Sequence, residues 1–239
     1  QRRAMVALVV LCSFVIVGLL DSIHYRKPLT SSDPQAQVHY SVEVFSLLDR
    51  LLVHLRNQEE KSYSAPFATQ LYAKESITLE SGQQVRTYPR LQYGGAHLID
   101  PKAQRGKDIF IKTILGIAVG LVISLLLSGG LIFWLSLRRK ISLMSMFQTM
   151  RRGDSDIPWW AILISITLII VLVSTALLLS GSYHVFGTDK VGKDVLYLSL
   201  KSIRTGLVIG TLTTLVMLPF AITLGIMAGY FRGWVDDVI

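Results

Sequence analysis

Apolar residues fall along the chain in four long blocks separated by polar stretches. Residues 1–20, 109–137, 159–180 and 205–230 are each predominantly apolar, and about 20 such residues in a helix cross about 30 Å of hydrocarbon. The pattern predicts four transmembrane helices. The polar stretches between them are unequal. Residues 21–108 are enough for a small folded segment, 138–158 form a short basic loop, 181–204 are charged and punctuated by glycine, and 231–239 read as a turn.

Periodicity inside the polar stretches predicts further elements. SVEVFSLLDRLLVHLR puts Val44, Phe45, Leu48, Leu51, Leu52 and Leu55 on one face of an amphipathic helix, with Ser41 as N-cap. ESITLESGQQVRTYPRL alternates about Ser81-Gly82 and predicts a β-hairpin. In 181–204, Val191, Val195, Leu196, Leu198, Leu200 and Ile203 recur at threes and fours. That stripe predicts a helix lying on the membrane surface, capped by Thr188 or Asp189, that turns into the fourth span.

Charge then sets the topology. The net charge of +8 is read first as loop asymmetry, because cytoplasmic loops retain Lys and Arg. Arg2, Arg3, Arg138, Arg139, Lys140, Arg151, Arg152 and Arg232 share one side if the N-terminus is cytoplasmic. Residues 21–108, with eleven basic and ten acidic residues, then form an extracytoplasmic segment that serves either as a packing lobe or as a docking surface for a soluble partner. Lys190, Lys193, Lys201 and Arg204 would lie on that same side, against the rule, so something other than topology must account for them. No nucleic-acid partner is expected.

Aromatic residues flank the basic loop. Phe133 and Trp134 precede it and Trp159 and Trp160 follow it, the belt expected at headgroup level. Lys112, near the outer end of the second span, can snorkel and needs no functional role. The first span reads as an uncleaved anchor, since Leu19-Leu20-Asp21-Ser22 offers no small-x-small cleavage site. The chain opens on Gln1 and closes on Val238-Ile239, where an apolar pattern restarts, so a fragment of a longer protein is expected. Cys12, the single cysteine, sits in the first span and forms no disulfide within the chain. The five histidines lack paired ligand spacing, and no Walker loop or GxSxG signature occurs, so no metal, cofactor or catalytic residue is assigned.

The fourth span has its own texture. Gly206, Gly210, Ala221, Gly225 and Gly229 fall four apart within two groups, a spacing that lets a second helix approach closely in lipid. Pro219 frees the Leu215 carbonyl and is expected to kink the helix, with Thr211, Thr213, Thr214 and Thr223 available to satisfy the backbone.

FGTDKVGKDVLYLSLKSIRTGLVIGTL, continuing to LGIMAGYFRGWVDDVI, resembles the pattern GTDxxGRDVLxRxxxGxRxSLxxG then GxxxGxxAGYxGGxxD. That pattern belongs to the second permease subunit of dipeptide, oligopeptide and nickel ABC importers. The resemblance covers 186–239. It rests on Gly187, Thr188, Asp189, Gly192, Asp194, Val195, Leu196, Arg204, Gly206, Gly210, Gly225, Gly229, Tyr230, Gly233 and Asp236 or Asp237, with Lys193 where the family has Arg. Three spans precede the motif here where the family has one, so 109–180 looks like an inserted helical hairpin. The family's ATPase-contacting loop would fall beyond Ile239.

The resemblance implies an all-α polytopic membrane protein with a type I ABC importer permease core, here with a small mixed α/β extracytoplasmic segment. It implies a multi-pass subunit of the bacterial inner membrane, not itself an enzyme, that moves peptides or a related small solute inward by alternating access. The implied partners are a second permease subunit, two cytoplasmic ATPase subunits that bind ATP and Mg, a periplasmic solute-binding protein and the lipid bilayer. The competing readings are a membrane receptor whose extracytoplasmic segment senses a ligand, and a membrane scaffold.

Overall fold

Side chains as apolar as Leu126, Leu168 and Leu215, which are 71%, 59% and 73% exposed, line the long helices of the chain, a surface compatible with lipid and not with water. The computed structural model describes residues 2–29, 39–78, 84–140, 142, 144, 145 and 157–230. Among these, four helices are long and apolar enough to cross a membrane: α1 (Arg2–Ser22), α4 (Pro101–Arg139), α5 (Trp159–Ser180) and α6 (Val195–Tyr230).

Helix α4 begins eight residues before the predicted span. Asp100 caps it by accepting a hydrogen bond from the Lys102 amide, and Pro101 occupies its first turn, where a missing N–H costs nothing. Its polar start, through Lys107 and Asp108, therefore projects beyond the apolar stretch. Helices α4 and α5 pack antiparallel. A Cβ on Gly116 would come within 2.6 Å of Thr175 Cα, and one on Gly120 within 2.7 Å of Val171 Cα. The Ser174 hydroxyl donates to the Gly116 carbonyl at 3.0 Å. Helix α1 touches both α5 and α6, with Gly18 against Leu207.

The end of the bundle where α1 finishes and α6 starts carries a lobe. Its elements are β1 (His24–Leu29), β2 (His39–Ser46), α2 (Leu47–Leu51), α3 (Val53–Asn57), β3 (Glu75–Thr78) and β4 (Gln84–Thr87). Strands β1 and β2 pair antiparallel, His24 opposite Ser46, with a register shift between Arg26 and Pro28. Strands β3 and β4 form the second antiparallel pair, Glu75 opposite Thr87. The turn expected at Ser81-Gly82 lies outside the described residues, as do most of the basic loop and the segment after Tyr230.

Two sequence expectations are corrected. The helix expected to begin after Ser41 starts after Ser46, because Ser46 and Asp49 form a reciprocal capping box: the Asp49 amide donates to Ser46 Oγ at 3.0 Å and the Ser46 amide to Asp49 Oδ2 at 2.9 Å. Residues before Ser46 run as strand. Leu48, Leu52 and Leu55 are buried as expected, but Leu51 is exposed. The predicted surface helix does not exist as a separate element either. Residues 188–194 are looped, and helix α6 runs unbroken from Val195 through the expected junction at 204 and through Pro219. The apolar stripe faces protein: Leu196 and Tyr197 are buried against Leu48, Leu52 and Leu55, with Leu198 and Leu200 packed around them.

Candidate functional site: the junction of the lobe with helix α6

Gly187 and Gly192 have φ of +76° and +86°, a region that costs other residues about 1–2 kcal/mol. These two left-handed positions fold 187–194 into a tight loop. The Asp189 carboxylate accepts from the Val191 and Lys193 amides at 2.9 and 2.8 Å, and the Gly192 amide donates to the Asp189 carbonyl. Asp194, rather than Thr188 or Asp189, caps α6: its Oδ1 accepts from the Tyr197 amide at 3.1 Å, three residues into the helix.

The loop is held against residues 59–67 of the lobe. Buried Thr188 accepts from the Ser64 amide at 2.8 Å and donates to the Ser62 carbonyl at 2.9 Å, with Ser64 Oγ 3.0 Å from the same hydroxyl. Its own amide donates to the Ser64 carbonyl. The Glu60 amide donates to the Gly192 carbonyl at 2.9 Å. A Cβ on either glycine would run into lobe backbone, Ser64 for Gly187 and Glu60 for Gly192.

Behind the loop lies a buried ionic cluster. His184, fully buried, places Nδ1 2.7 Å from Asp194 Oδ2 and Nε2 3.4 Å from Glu60 Oε1. Glu60 also accepts from the Gln92 and Tyr93 amides at 2.9 and 2.8 Å. Burial pushes the His184 imidazole toward its neutral form, and the hydrogen bonds and charges of Asp194 and Glu60 outweigh it, so its pKa rises from 6.5 to about 9. Burial likewise opposes ionisation of Glu60, but the His184 ring and the two amides hold its pKa below the usual carboxylate value.

A second cluster joins α2 to α6. The Tyr197 hydroxyl donates to Asp49 Oδ1 at 2.6 Å, and Lys201 Nζ lies 2.9 and 3.1 Å from the two oxygens of Asp49. Against the burial that would raise it, the Ser46 amide, Tyr197 and Lys201 bring the Asp49 pKa down to about 2. Arg204 lies 3.5 Å from Asp21 Oδ2 and 3.0 Å from His24 Nε2, and Lys193 lies 3.9 Å from Glu59. Carboxylates thus account for three of the four cations that topology left unexplained.

The Lys112 ammonium reaches back toward the start of α4 and is paired there. It lies 2.9 Å from Asp108, 2.8 Å from Ser182 Oγ and 3.0 Å from His97 Nε2, while the Tyr183 hydroxyl donates to Asp108 at 2.7 Å. This third cluster ties the start of α4 to the end of α5.

The structure therefore gathers Gly187, Thr188, Asp189, Gly192, Lys193 and Asp194 at one junction, with Arg204 two turns along. It leaves the second predicted set unpartnered. Among the described residues, Gly206, Gly210, Gly225 and Gly229 have nothing within 4 Å of an added Cβ, and Pro219 and Ala221 are exposed. The four threonine hydroxyls donate to their own helix, Thr223 to the Pro219 carbonyl and the others to carbonyls before Leu215. Sequence reading passed over His184, Glu60, Asp49 and Tyr197, whose partners in these clusters lie 10 to 152 residues away. It also passed over Gly116 and Gly120, though GIAVG spells the close-packing spacing outright. Among the described residues no cluster of three or more His, Cys, Asp or Glu is disposed to hold a metal ion.

No family model and no solved structure matches the chain. Similarity to curated proteins covers a short stretch. The glutathione transport system permease protein GsiD of Pectobacterium atrosepticum is 38% identical over 59 residues, 25% of this chain and 20% of the relative. The oligopeptide transport system permease proteins OppC of Mycobacterium bovis and Mycobacterium tuberculosis are each 34% identical over 59 residues, with the same coverage. The match thus spans about a fifth of the length of these relatives. Over that stretch the chain is similar to permease subunits of peptide transport systems.

Proposed function

We propose that this chain is a membrane subunit of an ATP-driven importer, carrying peptides or a related small solute across the bacterial inner membrane by alternating access. The observation that carries the reading is the 59-residue similarity to permease proteins of glutathione and oligopeptide transport systems. The bare small-residue face of α6 supports it, because glycines spaced four apart along a lipid-exposed helix are suited to receive another helix. In this reading the N-terminus is cytoplasmic and the lobe extracytoplasmic. A second permease subunit covers α6, two cytoplasmic ATPases bind ATP and Mg and hydrolyse the nucleotide, and a periplasmic solute-binding protein delivers the solute. This chain performs no chemistry of its own.

A receptor that senses a ligand through the lobe is the second reading, favoured by the direct bonding of the lobe to α6 through Asp49 and Lys201. Affinity purification of the full-length protein from its native membrane, with partners identified by mass spectrometry, separates the two. The importer reading expects a second permease and two ATPase chains in stoichiometric amounts. A kinase or other effector in their place would overturn it.

A further inference from the structure

Lys201 faces two buried carboxylates and satisfies one. Its ammonium lies 2.9 Å from Asp49 Oδ1 in the lobe and 3.9 Å from Asp21 Oδ1 at the end of α1. Asp21 is 3% exposed, and its Oδ1 has no hydrogen-bond partner among the described residues. Its other oxygen is 3.5 Å from Arg204, which gives its hydrogen bond to the Asp21 main-chain carbonyl instead. A buried polar atom left unpaired costs about 1–3 kcal/mol, more when charged, and such an atom calls for a physical reason.

The two carboxylates are not equal claimants. Asp49 keeps two other donors, the Ser46 amide and the Tyr197 hydroxyl, if the ammonium leaves. Asp21, whose Oδ2 already has Arg204 at 3.5 Å, gains a hydrogen bond to its bare Oδ1 when the ammonium arrives. Losing Lys201 is thus cushioned on one side and receiving it is rewarded on the other, which brings the two arrangements close in free energy. The lysine is half-buried, with four flexible methylenes, and needs to close only about 1 Å to reach hydrogen-bond distance of Asp21.

We infer that Lys201 is a positioning residue with two stations, Asp49 in the lobe and Asp21 in α1, and that its transfer between them loosens the first turns of α6 from α2. The exchange stands on the geometry; its use in a transport cycle rests on the importer reading. With Lys201 on Asp49, the lobe and α6 are joined through Tyr197 and the ammonium. With Lys201 on Asp21, α6 is joined to α1, and the Tyr197 hydroxyl is the side-chain hydrogen bond that still ties it to Asp49.

The test is a distance measurement by pulsed electron paramagnetic resonance on the full-length protein in its native assembly in lipid nanodiscs. Spin labels are placed at Leu51 on α2 and Ser202 on α6, both exposed, in a background otherwise free of cysteine. Two separations are expected. Asp21→Asn should retain only the shorter and Asp49→Asn should shift the population to the longer, opposite responses that a merely structural pair does not give. If Asp49→Asn does not accumulate in the membrane, Asp21→Glu, which reaches one methylene nearer Lys201, should enrich the longer separation. A single separation, the same in the parent and in Asp21→Asn, overturns the proposal. Two separations in a protein that purifies without ATPase partners would leave the exchange standing and sink the importer reading, and ATPase partners with one fixed separation would do the reverse.

Discussion

The carbonyl of Gly192 accepts the amide hydrogen of Glu60 at 2.9 Å, an approach open only to a residue without a Cβ. Gly192→Ala should therefore loosen the lobe by more than the about 1–2 kcal/mol of its left-handed backbone alone. Gly206→Ala, in open space on a helix, should leave the lobe unchanged and favour the helix by up to about 1 kcal/mol. Limited proteolysis of the full-length protein in detergent, followed at bonds within residues 58–67, compares the two.

Alkaline pH should weaken the same junction. The His184 pKa lies near 9 when folded and 6.5 in the unconstrained ring, so its stabilisation is complete below about pH 6.5 and is lost as the pH climbs through 9. Asp49 acts in the opposite direction: with its pKa lowered from 3.8 to about 2, it stabilises above about pH 3.8 and fails as the pH falls toward 2. The melting temperature of the full-length protein should drop between about pH 6 and about pH 9.5, and His184→Gln should flatten that drop. An equal drop in the variant would assign the alkaline loss to another group.

Bulk at Gly116 or Gly120 should separate α4 from α5. Leucine at either position meets the backbone of Thr175 or Val171, and the Ser174 bond to the Gly116 carbonyl lengthens with it. Membrane insertion is expected to persist, because each helix remains apolar enough to span. The separation of spin labels at Ala118 and Val173, both exposed, should grow in pulsed electron paramagnetic resonance, and an unchanged separation would show that the glycines do not set the approach.

On the importer reading, Gly225→Leu or Gly229→Leu should impair solute uptake several-fold while leaving expression and insertion intact, because both glycines face open space in the chain alone. Uptake in membrane vesicles, normalised to the amount of protein inserted, is the readout. Normal uptake would mean that no helix closes on this face.

Local pattern carried the four spans and the β3–β4 pairing, since blocks of apolar residues and strict alternation each admit one reading. It failed where two periods overlapped. Val44, Phe45 and Leu48 fit a helical face, yet the Ser46–Asp49 capping box starts the helix later. Val191 fits the stripe of α6, yet the turn made by Asp189 and Gly192 keeps it out of the helix. The ionic clusters were beyond reach for a different reason. Asp49 and Lys201 are 152 residues apart, and nothing in the neighbourhood of either names the other. The surplus of cations in 181–204 was visible, and so was the need for an explanation; only the fold could supply the carboxylates.

Helix α6 is 36 residues long without a break, about 54 Å from end to end, and among the described residues it is held by the lobe and α1 over its first four turns. Such an element behaves as a lever whose short arm is in the hands of the lobe. A tilt of about 5° imposed there displaces the far end by about 5 Å, roughly one helical turn. A slight adjustment on one face of the membrane is thereby magnified on the other, with Pro219 as the place along the arm where stiffness is least.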